Sequence, residues 1–285
     1  MTEIATRAPE RRRGAGDSRV FGGALLTLTA LLVLNSVVGP LLTGVIDYPI
    51  SESMTNQLLG LEVVTLLLVV PWTAAAGVLA LRGDPRAPLL ALGPTTYAAY
   101  MFVQYVVGPE YAAASWTVLL DVGLVALSGG LALTAWSRAW VAPVPQTSDR
   151  WRRRGGLALL GLAGFVLSRY LPLLVGAAGH EPIAAEFREA RTFYWSIVLL
   201  DLGAVVPLTV AAAVSLLRGS DAGRRAVYGV LGWFALVPPS VAAMAAVMVA
   251  RDDPHASVPT LALLSVATIT FWAVAWLAFR GLVRR

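Results

Sequence analysis

The sequence predicts an all-α membrane protein of eight transmembrane helices, arranged as two four-helix halves related by a parallel internal repeat. Three observations predict it: a bilayer-like composition, apolar runs of bilayer length, and arginines that alternate loop by loop. Of 285 residues, 57% are hydrophobic and 14% charged, and the mean hydropathy is +0.70. Soluble domains carry about a quarter charged residues. Lipid offers no partner for backbone N–H and C=O groups, so only helices or closed barrels cross it. The runs are continuous rather than alternating, which selects helices.

The elements follow in order. Residues 1–18 are a polar, arginine-rich tail, expected to be disordered in the cytoplasm beside anionic headgroups. The first half, 19–137, holds spans at about 20–43, 57–81, 88–107 and 115–137. A basic cytoplasmic linker, 138–155, contains Pro143, Pro145 and Gln146-Thr147-Ser148-Asp149. The second half, 156–285, holds spans at about 156–177, 193–217, 226–250 and 258–280. Each run covers a core of ~30 Å at ~1.5 Å per residue. The first run is too long for a secretory apolar region and no cleavage site follows it, so it reads as an uncleaved span.

Arginine placement sets the orientation. The tail has Arg7, Arg11, Arg12, Arg13 and Arg19, and the second loop has Arg82 and Arg86. The linker region has Arg138, Arg150, Arg152, Arg153 and Arg154, the sixth loop Arg218, Arg224 and Arg225, and the C-terminus Arg280, Arg284 and Arg285. That is 18 of 22 on one side, against Arg188, Arg191 and Arg251 on the other, with Arg169 inside a span. The positive-inside rule places both termini in the cytoplasm of a multi-pass cell-membrane protein. The opposite loops are acidic, with Asp47, Glu52, Glu110, Glu181, Glu186, Glu189, Asp252 and Asp253. Trp116 at one interface, and Trp136, Trp140 and Trp151 at the other, read as belt anchors.

Composition also excludes chemistry. There is no Cys, which removes disulfides, thiolate catalysis and Cys-bound metal. The two histidines, His180 and His255, fall in loops, so haem ligation inside the bilayer is not expected. Every one of the 22 basic residues is Arg, which removes Schiff-base chemistry. No phosphate loop, dinucleotide fingerprint or nucleophile elbow occurs. No cofactor or metal is expected. The net charge of +5 belongs to topology, because the basic residues are scattered beside spans, and no nucleic-acid partner is expected.

Two stretches resemble each other at one offset. Val69-Val70-Pro71-Trp72-Thr73 resembles Val205-Val206-Pro207-Leu208-Thr209, and Leu81-Arg82-Gly83 resembles Leu217-Arg218-Gly219. Pro40-Leu41-Leu42-Thr43-Gly44 resembles Pro172-Leu173-Leu174-Val175-Gly176, and Gly22-Gly23 echoes Gly155-Gly156. Four spans per half give both halves the same orientation, hence a pseudo-two-fold along the membrane normal. Pro71 and Pro207 fall mid-span, where each removes a helical hydrogen bond, and they are candidate hinges. Pro238-Pro239 in the seventh span has no counterpart in the first half.

Five strongly polar residues lie inside spans: Asn35, Glu62, Asp121, Arg169 and Asp201. Each sits roughly 9–13 Å below the acidic surface, at ~1.5 Å per residue. Intramembrane charge usually faces a partner or a cavity. A layer is therefore expected, with Arg169–Asp201 as the first pair and Glu62 or Asp121 as a second acceptor for the guanidinium fork. Tyr97, Tyr100 and Tyr105 of the third span read mainly as aromatic packing. Glu186 and Glu189 share a face if the 178–192 loop is helical.

The leading expectation is a small-solute or proton-linked transporter using Arg169, Asp201, Glu62, Asp121 and Asn35. Its partners would be membrane lipid and a small-molecule or ion ligand. Two alternatives stand beside it. One is a scaffold, sensor or complex subunit whose buried ion pairs are structural. The other is a lipid-modifying enzyme using carboxylates, which requires an elongated cavity meeting the acids; the balance leans away from an enzyme.

Overall fold

The computed structural model describes residues 4–283 except 40, 47 and 184, with the side chains of 4–15, 186 and 283 also outside the description. The readings placed on Pro40, Asp47, Arg284 and Arg285, and on the side chains of Arg7, Arg11, Arg12, Arg13 and Glu186, lie outside the described residues. All regular structure among the described residues is helical. The helices are α1 (Ile4–Val38), α2 (Glu52–Val64), α3 (Val70–Leu81), α4 (Ala87–Val107), α5 (Trp116–Ala139) and α6 (Asp149–Arg169). They continue with α7 (Leu171–Gly179), α8 (Arg191–Leu200), α9 (Val206–Leu217), α10 (Asp221–Phe234), α11 (Val237–Ala250) and α12 (Val258–Val283). Helix α1 begins at Ile4, inside the tail expected to be disordered.

Local sequence explains where helices start and stop. Ser51, Ser115, Ser148 and Ser220 are extended, and each hydroxyl oxygen accepts a first-turn amide, from Met54, Val118, Trp151 and Gly223 respectively. Such caps satisfy donors that have no intrahelical partner. The recurring Leu-Arg-Gly has a backbone cause. Gly83 and Gly219 lie at φ +72° and +73°, the left-handed conformation that closes a helix C-terminus without a Cβ clash. The following amides complete the stop, Asp84 N–H to Leu79 O at 2.9 Å and Ser220 N–H to Ser215 O at 3.1 Å.

Both mid-span prolines are accommodated by widening the helix. One π-turn covers Thr65–Val69 ahead of Pro71, and the other covers Asp201–Val205 ahead of Pro207. The Val70 amide reaches back to Thr65 O and the Val206 amide to Asp201 O, five residues away instead of four. The extra residue per turn makes room for a ring that would otherwise collide with a carbonyl. The Asp149–Gly179 segment breaks at Tyr170, ahead of Pro172, and the Asp221–Ala250 segment at Ala235–Leu236, ahead of Pro238-Pro239. Pro94, by contrast, sits inside a continuous α4.

Among the described residues, seven segments are long and apolar enough to cross a membrane: Gly16–Val38, Glu52–Leu81, Trp116–Ala139, Asp149–Gly179, Arg191–Leu217, Asp221–Ala250 and Val258–Leu282. The chain is therefore an integral, multi-pass membrane protein. The third expected span, 88–107, is the helix α4 but is not among the seven. Pro94, Thr95, Thr96, Gln104 and three tyrosines dilute its apolar character, and Thr95, Tyr97, Gln104 and Tyr105 are buried in the bundle. A helix shielded by neighbours needs less hydropathy than one facing lipid.

Close helix contacts rest on small residues, which let backbones approach. Gly22 of α1 sits on Gly77 and Leu81 of α3, and Gly156 of α6 sits on Ala213 and Leu217 of α9. Gly93 of α4 faces Gly232 of α10, where an added Cβ would lie 2.8 Å from the Gly232 Cα. Gly60 of α2 sits against the backbone of Ala243 and Met244 in α11. The last two contacts join α4 to α10 and α2 to α11. At the arginine-rich end, buried Arg225 donates to Ala139 O at 2.7 Å, Trp140 O at 3.0 Å and Ala142 O at 3.3 Å, closing the C-terminus of α5. Arg86 donates similarly to Leu282 O at 3.3 Å, at the end of α12.

Candidate functional site

The polar residues of the spans form two clusters rather than one layer. The first lies among α1, α2, α4 and α5, near their acidic-loop end. Asn35 and Ser36 come from the last turn of α1, Glu62 from α2, Tyr105 from the last turn of α4, and Asp121 from the second turn of α5. Asn35, Ser36, Glu62 and Asp121 are all buried, with Asp121 at 0% exposure. Tyr48 enters from the loop between α1 and α2 and is also buried. Its ring meets that of Tyr105 edge-on, with centroids 5.4 Å apart.

Glu62 is held by three donors. The Tyr105 hydroxyl donates to Oε1 at 3.0 Å, Asn35 Nδ2 donates to the same oxygen at 3.3 Å, and the Ser36 hydroxyl donates to Oε2. Asp121 is the opposite case: neither carboxylate oxygen has a hydrogen-bond partner. Asn35 Oδ1 and the Tyr48 hydroxyl are likewise without one. Tyr111, from the loop after α4, donates to Tyr105 O at 3.2 Å. Burial, with Asp121 and Glu62 close by, holds the Tyr48 phenol far above its ordinary range. Burial and the charge of Asp121 do the same to Tyr111. Two loop phenols thus stand over two acids, and no salt bridge reaches either acid among the described residues.

The second cluster lies at the Asp201–Val205 π-turn. Asp201, its first residue, is buried and accepts the Tyr100 hydroxyl on Oδ1 at 2.7 Å and the Tyr170 hydroxyl on Oδ2 at 2.5 Å. Tyr100 belongs to α4 and Tyr170 is the break residue between α6 and α7, so this carboxylate ties three helices together. The expected Arg169–Asp201 pair does not form. Arg169, the last residue of α6, is exposed, and the adjacent Tyr170 turns inward instead. Successive helical residues point about 100° apart, so one of the two faces in while the other faces out.

Helix α4 therefore carries hydrogen-bonding phenols rather than simple aromatic packing. Tyr105 faces Glu62, Tyr100 faces Asp201, and the Tyr97 hydroxyl meets the Ser240 hydroxyl of α11 at 2.7 Å. Sequence reasoning missed Ser36, Tyr48 and Tyr111 as members of the first cluster. Ser36 could have been found from its adjacency to Asn35; the loop tyrosines carried no signal of their own.

Elsewhere, the 178–192 loop holds a three-residue 3-10 turn, Ala185–Phe187, not a helix carrying Glu186 and Glu189 on one face. No group of three His, Cys, Asp or Glu residues gathers among the described residues. An apolar groove of about 360 Å³ runs between Leu68, Trp72, Leu236, Trp272, Trp276 and Phe279, and no acid lines it. Compared with known proteins, the chain matches no family model, no curated protein and no solved structure.

Proposed function

We propose that the protein is a membrane carrier linked to a proton or a small cation, and that Glu62 and Asp121 are its coupling pair. One observation carries the reading: a fully buried Asp121 carboxylate beside Glu62, with the Tyr111 phenol close by but no well-formed hydrogen bond and no basic residue engaging it. An isolated ionised carboxylate in an apolar interior is so costly that it demands a compensating positive charge. Binding and releasing that charge is what a coupled carrier does. Intramembrane acids in transporters mark proton and ion paths for this reason.

The proposal includes eight spans, with α4 as the third, and two similar halves. Supporting the repeat are the π-turns ahead of Pro71 and Pro207 and the left-handed Gly83 and Gly219. The matching seats of Gly22 on α3 and Gly156 on α9 add to it. A π-turn leaves one residue unpaired in the helix, which suits Pro71 and Pro207 as hinges between alternative arrangements. The arginine-rich end is cytoplasmic on the positive-inside rule, so the coupling pair faces the outer side. Asp201 belongs to packing, because both its oxygens are satisfied. The groove without acids gives no support to lipid chemistry.

The test is ion flux in reconstituted vesicles, read with an internal pH dye and with radioactive sodium. Wild-type protein should dissipate an imposed gradient, while Glu62→Gln and Asp121→Asn should lower the rate at least tenfold. Arg169→Ala should leave it within twofold. Wild-type protein that moves neither ion, or variants that match it, would reject the carrier.

A further inference from the structure

Among the described residues, seven buried polar side-chain atoms have no hydrogen-bond partner, and four of them belong to the first cluster. Those four are Asn35 Oδ1, the Tyr48 hydroxyl, and both oxygens of Asp121. Native interiors rarely leave such atoms unsatisfied without a ligand or function to explain them. Here all four are oxygens, and apart from the Tyr48 hydroxyl itself the nearby donors already have acceptors. The Asn35 amide, the Ser36 hydroxyl and the Tyr105 hydroxyl all donate to Glu62, and Tyr111 donates to a backbone carbonyl.

We propose that Asp121, Asn35 Oδ1 and the Tyr48 hydroxyl, backed by the charge of Glu62, form a binding site for one sodium-like metal cation. This rests on the carrier reading and names its coupling ion. The chemistry is that of a hard cation, which takes carboxylate, amide-carbonyl and hydroxyl oxygens. A proton satisfies this set poorly. Hydrogen bonds need a directed donor, and although the Tyr48 hydroxyl lies beside Asn35, no well-formed hydrogen bond joins any two of the four atoms. A cation has no such angular demand and engages several oxygens at once. A divalent ion is disfavoured by the ligand count. Calcium takes six to eight oxygens, usually with several carboxylates, whereas Glu62 is occupied by three donors and no third acid joins the group.

The position suits exchange with the acidic-loop side. Asp121 lies in the second turn of α5 and Asn35 in the last turn of α1. Tyr48 closes the site from a loop, so displacing that loop uncovers the ion without breaking a helix.

The experiment uses the full chain in detergent at fixed pH and ionic strength, with sodium, potassium or calcium chloride replacing choline chloride. Sodium should raise the thermal-unfolding midpoint saturably, and radioactive sodium should bind at about one per chain. Tyr48→Phe, which keeps the ring, should weaken binding severalfold, and Asp121→Asn at least tenfold. Arg169→Ala should bind as wild type does. If Asp121→Asn fails to fold, Tyr48→Phe and Asn35→Ala decide the matter. Absence of saturable sodium binding in wild-type protein overturns the site, as does equal protection by potassium or calcium, or unchanged binding in Tyr48→Phe and Asn35→Ala. If proton flux persists without sodium binding, the carrier stands with a proton as its ion. If sodium binds but no flux is found, the site stands and the carrier falls.

Discussion

Removing the phenols from Asp201 separates a structural acid from a coupling acid. Asp201 is 3% exposed and accepts one hydroxyl on each oxygen, at 2.7 Å from Tyr100 and 2.5 Å from Tyr170. Tyr100→Phe or Tyr170→Phe deletes one donor and little volume. Hydrogen bonds to charged groups contribute about 1.5–3 kcal/mol, while interhelical bonds in bilayers average about 0.6 and reach about 1.7 kcal/mol. Each single variant should therefore lose about 1–2 kcal/mol, a roughly 5- to 30-fold change in the unfolding equilibrium. The two bonds share one carboxylate, so the double variant should depart from additivity. It would leave a buried acid with neither donor, and should lose more than the two singles together. The assay is a double-mutant cycle of unfolding in mixed micelles, with ion flux measured on the protein that remains folded. Stability should fall while flux per folded molecule stays within twofold. Loss of flux at unchanged stability would refute the structural assignment and return Asp201 to the coupling path.

Two further predictions concern the ends of the bundle. Arg225→Ala should cost about 2–3 kcal/mol, because it strips donors from carbonyls at the end of α5, and Arg225→Lys should recover only part of the loss; comparing unfolding midpoints in detergent checks both. Burial alone would raise the Asp253 carboxyl, but hydrogen bonds from Asn56, the His255 amide and Ser53 outweigh it and hold it below its ordinary value. A depressed acid contributes stability above its unfolded pKa of about 3.9, and that contribution disappears as pH falls through the folded value. Asn56→Ala should flatten the acid limb of a stability–pH curve below about pH 5, with little change in its shape above; an identical acid limb would contradict the hydrogen-bond account.

Much of this could be read from residue order, for reasons particular residues make plain. Glu62, Asp121 and Asn35 were legible as buried polar residues because a span fixes depth at a constant rise per residue. Tyr48 and Tyr111 were not, because a loop residue has no depth until its loop folds. Arg169 and Tyr170 show the same limit from another side: the sequence told that both lie near one level, not which of them faces inward. The Leu-Arg-Gly repeat was visible as letters; its cause, a left-handed glycine at the end of each helix, was a matter of backbone conformation.

By itself, the chain order determined the apolar helices, the arginine-rich and acidic ends, and the depth of each buried charge, because hydropathy and rise act along one axis. Only the tertiary structure decided rotation about that axis. Most of these helices are apolar on nearly every side, so outside α8 and α10 no marked amphipathic stripe orients them. Packing at Gly60, Gly93 and Gly156 does, turning Tyr105 to Glu62 and Tyr100 to Asp201, and leaving Arg169 exposed.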